Sequence, residues 1–522
     1  MSDGFAAPGT VAPAVLPAAF VTPQGVVVLR FGSATWISST ADDPPNTPYP
    51  ARLLGDVEVS QSAVDALFIG GRMALGVADI ALFDADGAAD TAIRYGIADG
   101  RNVVIRVAAA TTPNASNVGT ALGSAAVAFR GIVRAVNAAD GQSSRLSVVD
   151  LAEALVTPLQ LARYTGGGGL EGEASLKDRP KPIAFGRAFN VGPVFLGNVN
   201  LGDGSLPTFQ SHWRAIAAHD AVRIRGAVQT AVLVAPTVGQ YRDWPASGVF
   251  QLGSSPDGPV TADVRGDAVP VYVSTTSAIL RRLVQSLGPL LADGAIETDS
   301  FGFADGDLAG EIGWYRGAEE ISASDAVQQI LAGSGAVLAG GRAGALRLFD
   351  PLAVAAEQFA LPAPWIIGLQ PLSLPAGMRP LPRAVTVDWR RNWTRLTDVP
   401  GSLATADRAQ LQGANSGPAR SESAVITGRV AQQRELRLPG LYWAEADALA
   451  RAAKYRAWFE LGPRLFEVST DRYLGQIESG DIGRITYPAF GLDAGVRVCV
   501  VGWREQLGAR RLWLTVVTLP EF

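Results

Sequence analysis

Apolar and polar positions alternate in short runs through most of the chain, and that period of two predicts strands. From Gly25, "GVVVLRF" reads as a buried strand and "ATWISST" follows it. "ADDPPNTPYPARL" is a loop, because its prolines forbid regular pairing. "GDVEVSQSAVDALFIGG" and "MALGVADIALFDADG" alternate as strands, and "ADTAIRYG" suits a short helix. "RNVVIRVAAA" and "AVAFRGIVRAVNAADGQSSRLSVVDLAE" predict three strands, with a turn at "AADGQSS" and a barrel or sandwich ending near Val156.

The period changes further on. Helical spacing from Thr276 places Ile279, Leu280, Leu283 and Leu287 on one face. Ser322 is placed to cap a second helix, Asp325 suits the acidic form of the capping box, and Gly333 is the expected stop. "AVLAGGRAGALRLF" then reads as a hairpin, "RAVTVDWRRNW" as a strand, and Thr397 to Gly417 as a long polar loop. The strongest helix is "LYWAEADALARAAKYRAWFELG". Its stripe is Leu441, Ala444, Ala448, Ala452, Tyr455 and Phe459, and Gly462–Pro463 ends it. "RLFEVST", "DIGRITYP", "VRVCVVGWREQ" and "RRLWLTVVTL" close the chain as strands.

These elements predict a mainly β, multidomain protein of β-barrel or sandwich units with a few helices, α+β in its C-terminal half. The expected division is an arm (1–23), a first β-barrel (24–165), a Gly/Pro-rich strap (166–197), a second β-rich domain with a helix (198–320), a helix-plus-hairpin domain (321–400) and a C-terminal helix and β domain (401–522). Composition agrees. The 58 glycines and 33 prolines among 522 residues suit many tight turns, and a hydrophobic share of 48% gives large cores. A net charge of −5 leaves no electrostatic footprint for wrapping nucleic acid. No apolar run reaches the roughly 18 residues of a membrane span, and no basic leader precedes the first apolar stretch, so a soluble protein made in the cytoplasm is expected.

Candidate chemistry is sparse. The one cysteine, Cys499, excludes a disulfide framework within the chain, and two histidines, His212 and His219, are thin material for a metal site. "GGGLEG" satisfies the dinucleotide glycine spacing, but the prolines after it prevent the helix that would meet a pyrophosphate, so a flexible linker is expected. "DADGAAD" (Asp84, Asp86, Asp90) lacks the closing glutamate of a calcium loop and reads as a turn. His219–Asp220 lacks a nucleophile elbow. The carboxylate pairs Glu319–Glu320 and Asp305–Asp307 could serve glycoside hydrolysis only at a fixed separation. The aromatics Trp389, Trp393, Tyr442, Trp443, Tyr455, Trp458 and Phe459 could make a sugar platform, although a helix packed on a sheet explains them more simply. No cofactor, metal or catalytic residue is expected.

Four stretches in chain order resemble the tail-tip or baseplate hub proteins of long-tailed bacteriophages and related gene transfer agents. They are the N-terminal pair "ADDPPNTPYPARL" and "DIALFDADGAADTAIRYGIADGRNVVIRV"; the connector "KDRPKPIAFGRAFNVGPVFL", Lys177 to Leu196; the helix-plus-hairpin "ISASDAVQQILAGSGAVLAGGRAGALRLF"; and the C-terminal run from "ALARAAKYRAWF" to "GDIGRITYPAFGLDAGVRVCVVGWRE". The resemblance spans most of residues 25–515, is weakest at 198–275, and departs from some relatives in lacking a four-cysteine iron–sulfur site and a peptidase or lysozyme domain.

The resemblance implies a structural virion protein of the tail tip, assembled in the host cytoplasm. It implies a homotrimeric ring that continues the tail-tube lumen and docks on the distal tail ring. Fibre or spike proteins and the tape-measure protein would be partners, and genomic DNA would pass without specific binding. It also implies that the connector is an architectural strap. Pro180 and Pro182 would hold the chain extended, and Arg179, Lys181 and Arg187 would meet carboxylates or carbonyls on neighbouring domains. The alternatives are a receptor-binding or fibre-base protein of the same tail, and a carbohydrate-active enzyme.

Overall fold

A computed structural model describes residues 14–22, 25–32, 36–42, 45–65, 68–87, 101–107, 117–120, 125–140, 142–287, 296–432 and 434–520. Among the described residues strand accounts for 43% and helix for 19%, so the chain is mainly β, and it is multidomain. The expected helix at "ADTAIRYG" falls outside the described residues.

A 13-stranded sheet organises the molecule. Its path runs Gly25–Phe31, Ala14–Thr22, Asn102–Val107, Ala126–Asp140, Ser143–Asp150, Gly76–Phe83, Glu58–Ser62, Leu492–Gln506, Arg511–Thr518, Leu465–Thr470 and Gly368–Leu372. Ile482–Tyr487 pairs with Leu492–Gln506 off that path and carries Phe359–Leu361. The decisive step is the antiparallel seam between Glu58–Ser62 and Leu492–Gln506, where Gly502 faces Ser62 and Gln506 faces Glu58. The first and last β segments are therefore one sheet, with one core: Val59, Ile80, Ile105 and Val148 pack in the same apolar cluster as Val468, Val500, Leu514 and Val516. Among the described residues no sheet closes into a barrel, because the sheet continues across the seam instead of returning to its own first strand.

A second sheet has the order Ala227–Val228, Ile216–Ile224, Val260–Asp267, Ile183–Val191, Gly313–Arg316. A third runs Val194–Asn200, Ser205–Gln210, Val249–Leu252, Gln240–Trp244, Thr230–Val232. Smaller sheets join Leu346–Phe349, Val337–Gly340 and Arg72–Ala74, and Asn415–Glu422, Ala384–Arg391 and Glu435–Leu438.

The helices fill the largest core. Helix Ala323–Ser334 starts at Ser322, whose hydroxyl accepts from the Asp325 N–H at 3.0 Å. It runs past Gly333 and stops at Gly335 (φ 78°), so the expected stop is two residues early. Gly333 instead makes room for a neighbour. A Cβ there would lie 2.5 Å from Leu441 Cγ, and its absence lets Leu441 approach the helix. The helix from Thr276 is α-helical to Arg282 and then widens to a π turn over Leu283–Leu287, with Ile279, Leu280 and Leu283 buried. Helix Glu445–Glu460 buries Ala448, Ala452, Tyr455 and Phe459 as its stripe predicts, and adds Arg451 and Trp458. The polar stretch read as a loop contains helix Thr405–Gln412 and the start of strand Asn415–Glu422. Leu411 anchors that helix against Phe189 and Leu396.

Candidate functional site

The strap begins as a closed loop. The chain leaves strand Ser143–Asp150 through a short 3-10 helix, Leu151–Leu155, whose Ala152 N–H donates to the Asp150 side chain at 2.9 Å. It then doubles back, so that residues 162–164 pair with 178–181. Lys181 N–H donates to Ala162 O at 2.9 Å, Tyr164 N–H to Arg179 O at 3.0 Å, and Asp178 N–H to Tyr164 O at 2.9 Å. The tetraglycine forms the tip. Gly168 N–H donates to Gly172 O at 2.8 Å, and Gly166, Gly168, Gly169 and Gly172 all hold positive φ, which glycine alone adopts without strain. The expectation of a flexible linker is thus replaced by a hydrogen-bonded loop. No long helix follows the glycines, only the three-residue turn Gly169–Glu171.

The named strap residues take distinct places. Arg179 is exposed, and its Nη2 donates to Ala318 O at 3.3 Å. Pro180 and Pro182 are buried. Pro180 bridges to Arg163, and the Pro182 carbonyl accepts from Trp213 N–H at 2.9 Å. Lys181 Nζ donates to Glu171 Oε1 at 2.6 Å and lies over the Tyr164 ring, 5.3 Å from its centroid. That hydrogen bond draws the Glu171 carboxyl below the usual range. Arg187 Nε donates to Asp220 Oδ2 at 2.8 Å, and its guanidinium sits 4.1 Å from the Trp443 ring centroid.

From Ile183 the strap is the fourth strand of the second sheet. It lies between Val260–Asp267 and Gly313–Arg316, and every residue of Ile183–Val191 except Arg187 is buried. Gly186 is required there: it has φ +57°, and a Cβ would meet Ile312 O at 1.8 Å. At the far end Asn190 Nδ2 donates to Asn392 Oδ1 at 2.9 Å and to Thr394 O at 2.5 Å, tying the strand to the segment after Ala384–Arg391. The strap therefore touches the first β segment, the second and third sheets and the C-terminal half.

Both histidines are buried beside it. His212 Nδ1 accepts the Ala184 N–H at 3.0 Å, and burial lowers its pKa. His219 has partners that its sequence neighbours do not reveal. Its Nδ1 lies 2.6 Å from Asp243 Oδ1 and its Nε2 lies 3.0 Å from Ser211 Oγ. Asp220, adjacent in sequence, instead bridges Arg187 and Arg265. Ser211, His219 and Asp243 have the spacing of a hydrolase triad. Yet Ser211 has no exposed surface, and the nearby Ser211 and His212 N–H groups both donate to Gly248 O. The trio locks the two sheets together and presents no nucleophile to a substrate.

The remaining candidates disperse. Asp84 closes a turn with Gly87 and accepts from Ser144 Oγ at 2.8 Å; Asp86 pairs with Arg52; Asp90 lies outside the described residues. Glu320 pairs with Arg163 and Glu319 with Arg316, while Asp307 meets Lys454 and Asp305 meets Thr275. Tyr442, Tyr455, Trp458 and Phe459 are core residues of the helix-on-sheet packing. Among the described residues no group of three or more His, Cys, Asp or Glu side chains could hold a metal ion.

No family model and no curated protein matches the sequence. Solved structures similar to the chain include prophage and bacterial tail proteins and a chain of a gene transfer agent virion. A 43 kDa tail protein of prophage MuSo2 from Shewanella oneidensis is 10% identical, with 90% of this chain and 94% of that one covered and a TM-score of 0.41. A tail protein from Neisseria meningitidis is 8% identical, with 98% and 100% covered and a TM-score of 0.37. A chain of a native gene transfer agent virion is 12% identical, with 66% and 85% covered and a TM-score of 0.38.

Proposed function

We propose that this chain is a structural, non-enzymatic component of a phage-like tail tip, the hub of its baseplate. In this reading it forms a homotrimeric ring in the virion that continues the tail-tube lumen. It docks on the distal tail ring, meets the tape-measure protein, anchors fibre or spike proteins, and lets genomic DNA pass. The six segments expected from the sequence are proposed as its building units, with the second (24–165), an open sheet and not a barrel, and the last (401–522) joined side by side.

One observation carries the reading. The motif-bearing stretches that resemble hub proteins lie far apart in the sequence, yet they assemble into one body. The N-terminal motif strand Gly76–Phe83 and the C-terminal motif strand Leu492–Gln506 flank Glu58–Ser62 in one sheet. The helix-plus-hairpin docks beside them: Val337–Gly340 pairs with Arg72–Ala74, and Gln61 Nε2 donates to Gly340 O at 2.8 Å. The connector strand belongs to the second sheet, and its Ile183 and Phe185 pack in one core with Val327 and Val337 of the helix-plus-hairpin. A resemblance spread over one packed body supports a shared architecture better than any single motif does. A net charge of −5 suits a lumen that must not hold DNA, since like charge repels phosphate.

The test is mass and place. Sedimentation of the purified chain should give three copies, and negative-stain imaging of particles carrying a label at the C-terminus should put that label at the tail tip. A stable monomer within intact particles, or a label along the tube, would overturn the proposal.

A further inference from the structure

His212 ties the strap to the third sheet through its ring. It follows strand Ser205–Gln210, is fully buried, and turns Nδ1 to the strap, where that nitrogen accepts the Ala184 N–H at 3.0 Å. A second bond lies beside it: Trp213 N–H donates to Pro182 O at 2.9 Å. The backbone is fixed from the other side by the turn before strand Val249–Leu252. Ser211 N–H donates to Gly248 O at 2.9 Å, and a Cβ on Gly248 would lie 2.3 Å from His212 O. A ring nitrogen that accepts an N–H carries no proton, so the imidazole is neutral with its hydrogen on Nε2. That Nε2 faces Asp267 Oδ1 at 3.5 Å and has no hydrogen-bond partner.

The charges facing the ring are already committed. Asp267 arrives on strand Val260–Asp267. Its Oδ1 accepts from Arg214 Nε at 2.7 Å, and its Oδ2 from Arg214 Nη2 at 2.7 Å and from Arg282 Nη1, on the helix from Thr276, at 2.6 Å. Two guanidiniums therefore outnumber the one carboxylate before His212 gains any charge. On the far side of Ser211, His219 and Asp243 pair with each other, and the strap contributes backbone at Ala184. Burial lowers the His212 pKa; Asp267 opposes that and Arg214 adds to it. Burial alone would raise the Asp267 carboxyl, but His212 and Arg214 hold it well below its ordinary value, so it stays ionised in mild acid.

We propose that His212 is an acid-released latch: a proton taken up at Nδ1 breaks the bond to Ala184 and releases segment 211–213, where the third sheet meets the strap. An imidazolium donates from both nitrogens, so its Nδ1–H would point at the Ala184 N–H inside a fully buried site. The ring therefore takes its second proton in the open form, where its pKa returns to about 6.5. A base that the fold keeps neutral lends stability that is complete above about pH 6.5 and is lost as the pH falls below it, because the open form binds the extra proton. With one proton at stake, the open population rises about tenfold by pH 5.5 and about a hundredfold by pH 4.5. The Asp350 carboxyl, held at about 2, gives way at lower pH. The latch rests on the bonds and charges of the ring and does not depend on the tail reading.

Hydrogen exchange of the full chain between pH 7.5 and 4.5 tests it. The reporter is the Trp213 amide, resolved by overlapping peptides, with each rate divided by that of an unfolded chain at the same pH. Its protection should fall about tenfold by pH 5.5 and about a hundredfold by pH 4.5, and return when the pH is restored, while the ladder amides of the strap strand and of the seam keep theirs. His212→Asn removes the titration and keeps an acceptor, since asparagine Oδ1 stands where Nδ1 does, and its Trp213 protection should not change with pH. Exchange at the ring C2 positions, read on the wild type alone, titrates His212 and His219 separately and decides the matter if the variant does not fold; His212 should titrate well below 6.5 in the folded protein. Trp213 protection that is constant with pH in the wild type, the same fall in His212→Asn, or a His212 ring that titrates near 6.5 would overturn the latch.

Discussion

Replacing Asp350 with asparagine should be among the most damaging isosteric changes in this protein. The Asp350 side chain is fully buried against the middle of helix Glu445–Glu460, at Arg451 and Lys454. Its Oδ2 accepts from Arg451 Nη1 at 2.6 Å and Lys454 Nζ at 2.7 Å, and its Oδ1 accepts from Arg451 Nη2 at 3.1 Å and Leu352 N–H at 3.0 Å. Arg451 is only 5% exposed, so the mutant strands a buried cation and turns an amide NH2 towards its donors. Breaking a buried pair in this way costs about 3–5 kcal/mol. By comparison, the exposed pair Arg484–Glu357 should contribute about 0–1 kcal/mol, which makes Glu357→Gln the control.

The acid limb gives an independent check. Burial alone would raise the Asp350 carboxyl, but the charges of Arg451 and Lys454, with their hydrogen bonds, hold it down at about 2. A depressed folded pKa means that the stabilisation is complete above the unfolded value of about 3.9 and disappears as pH falls towards 2. It amounts to roughly 2–3 kcal/mol at neutral pH, with about half gone at pH 3. Urea unfolding of wild type and Asp350→Asn at pH 7 and pH 3.5, read with hydrogen exchange of helix Glu445–Glu460, measures both effects. The wild type should lose more stability on acidification than the mutant does. A cost below about 1 kcal/mol at pH 7, or parallel acid limbs, would refute the account.

Three further outcomes follow from the strap and the closing sheet. Changing both Pro180 and Pro182 to glycine frees backbone worth roughly 1–2 kcal/mol per residue; the sheets should still fold by circular dichroism, while incorporation into particles falls, and normal incorporation would count against a rigid strap. Gly186→Ala, with its Cβ aimed at Ile312 O and its positive φ, should prevent soluble expression, and a soluble protein of unchanged stability would show that the strand can shift. Cys499 is 1% exposed, and burial pushes its thiol well up, so the native protein should resist thiol reagents and react only after unfolding; Cys499→Ser should cost roughly 1–3 kcal/mol.

How much of this could be read beforehand depended on whether the cause was local. Strands with clean alternation, such as Gly76–Phe83, and the helix capped by Ser322 were legible because cap and period sit in adjacent residues. Helix Thr405–Gln412 was not, since Leu411 is its one buried residue and Ala404 supplies no side-chain cap. Gly333 was misread as the stop because its role, making room for Leu441 from elsewhere in the chain, is not local, while the left-handed Gly335 two residues on ends the helix. The partner of His219 was missed for the same reason: Asp243 arrives on a different strand, and only the contact between sheets selects it over Asp220. The seam itself leaves no trace in either strand, because pairing partners carry no label in the sequence.

That seam changes what the strap can be. A connector in an extended chain would let the first β segment swing about it. Here the first segment is held twice. One tie is the seam, where Gln506 Nε2 donates to Glu58 Oε2 at 3.0 Å, Leu507 N–H to Val57 O at 3.0 Å and Ala509 N–H to Asp56 Oδ2 at 2.9 Å. The other is the strap, closed on itself by the 162–164 and 178–181 pairing and continued into a central strand. A swing about the strap would have to break the seam's ladder and open the apolar core that the two segments share, so the two ties fail together. The prolines then fix the local path of the strap, and the closed topology adds to the rigidity they give. Amides of Ile183–Val191 and of Glu58–Ser62 should accordingly exchange hydrogen together, at the slow rate of the shared core. Fast exchange at the strap with a protected seam would show that the two ties are independent and that the strap is a hinge after all.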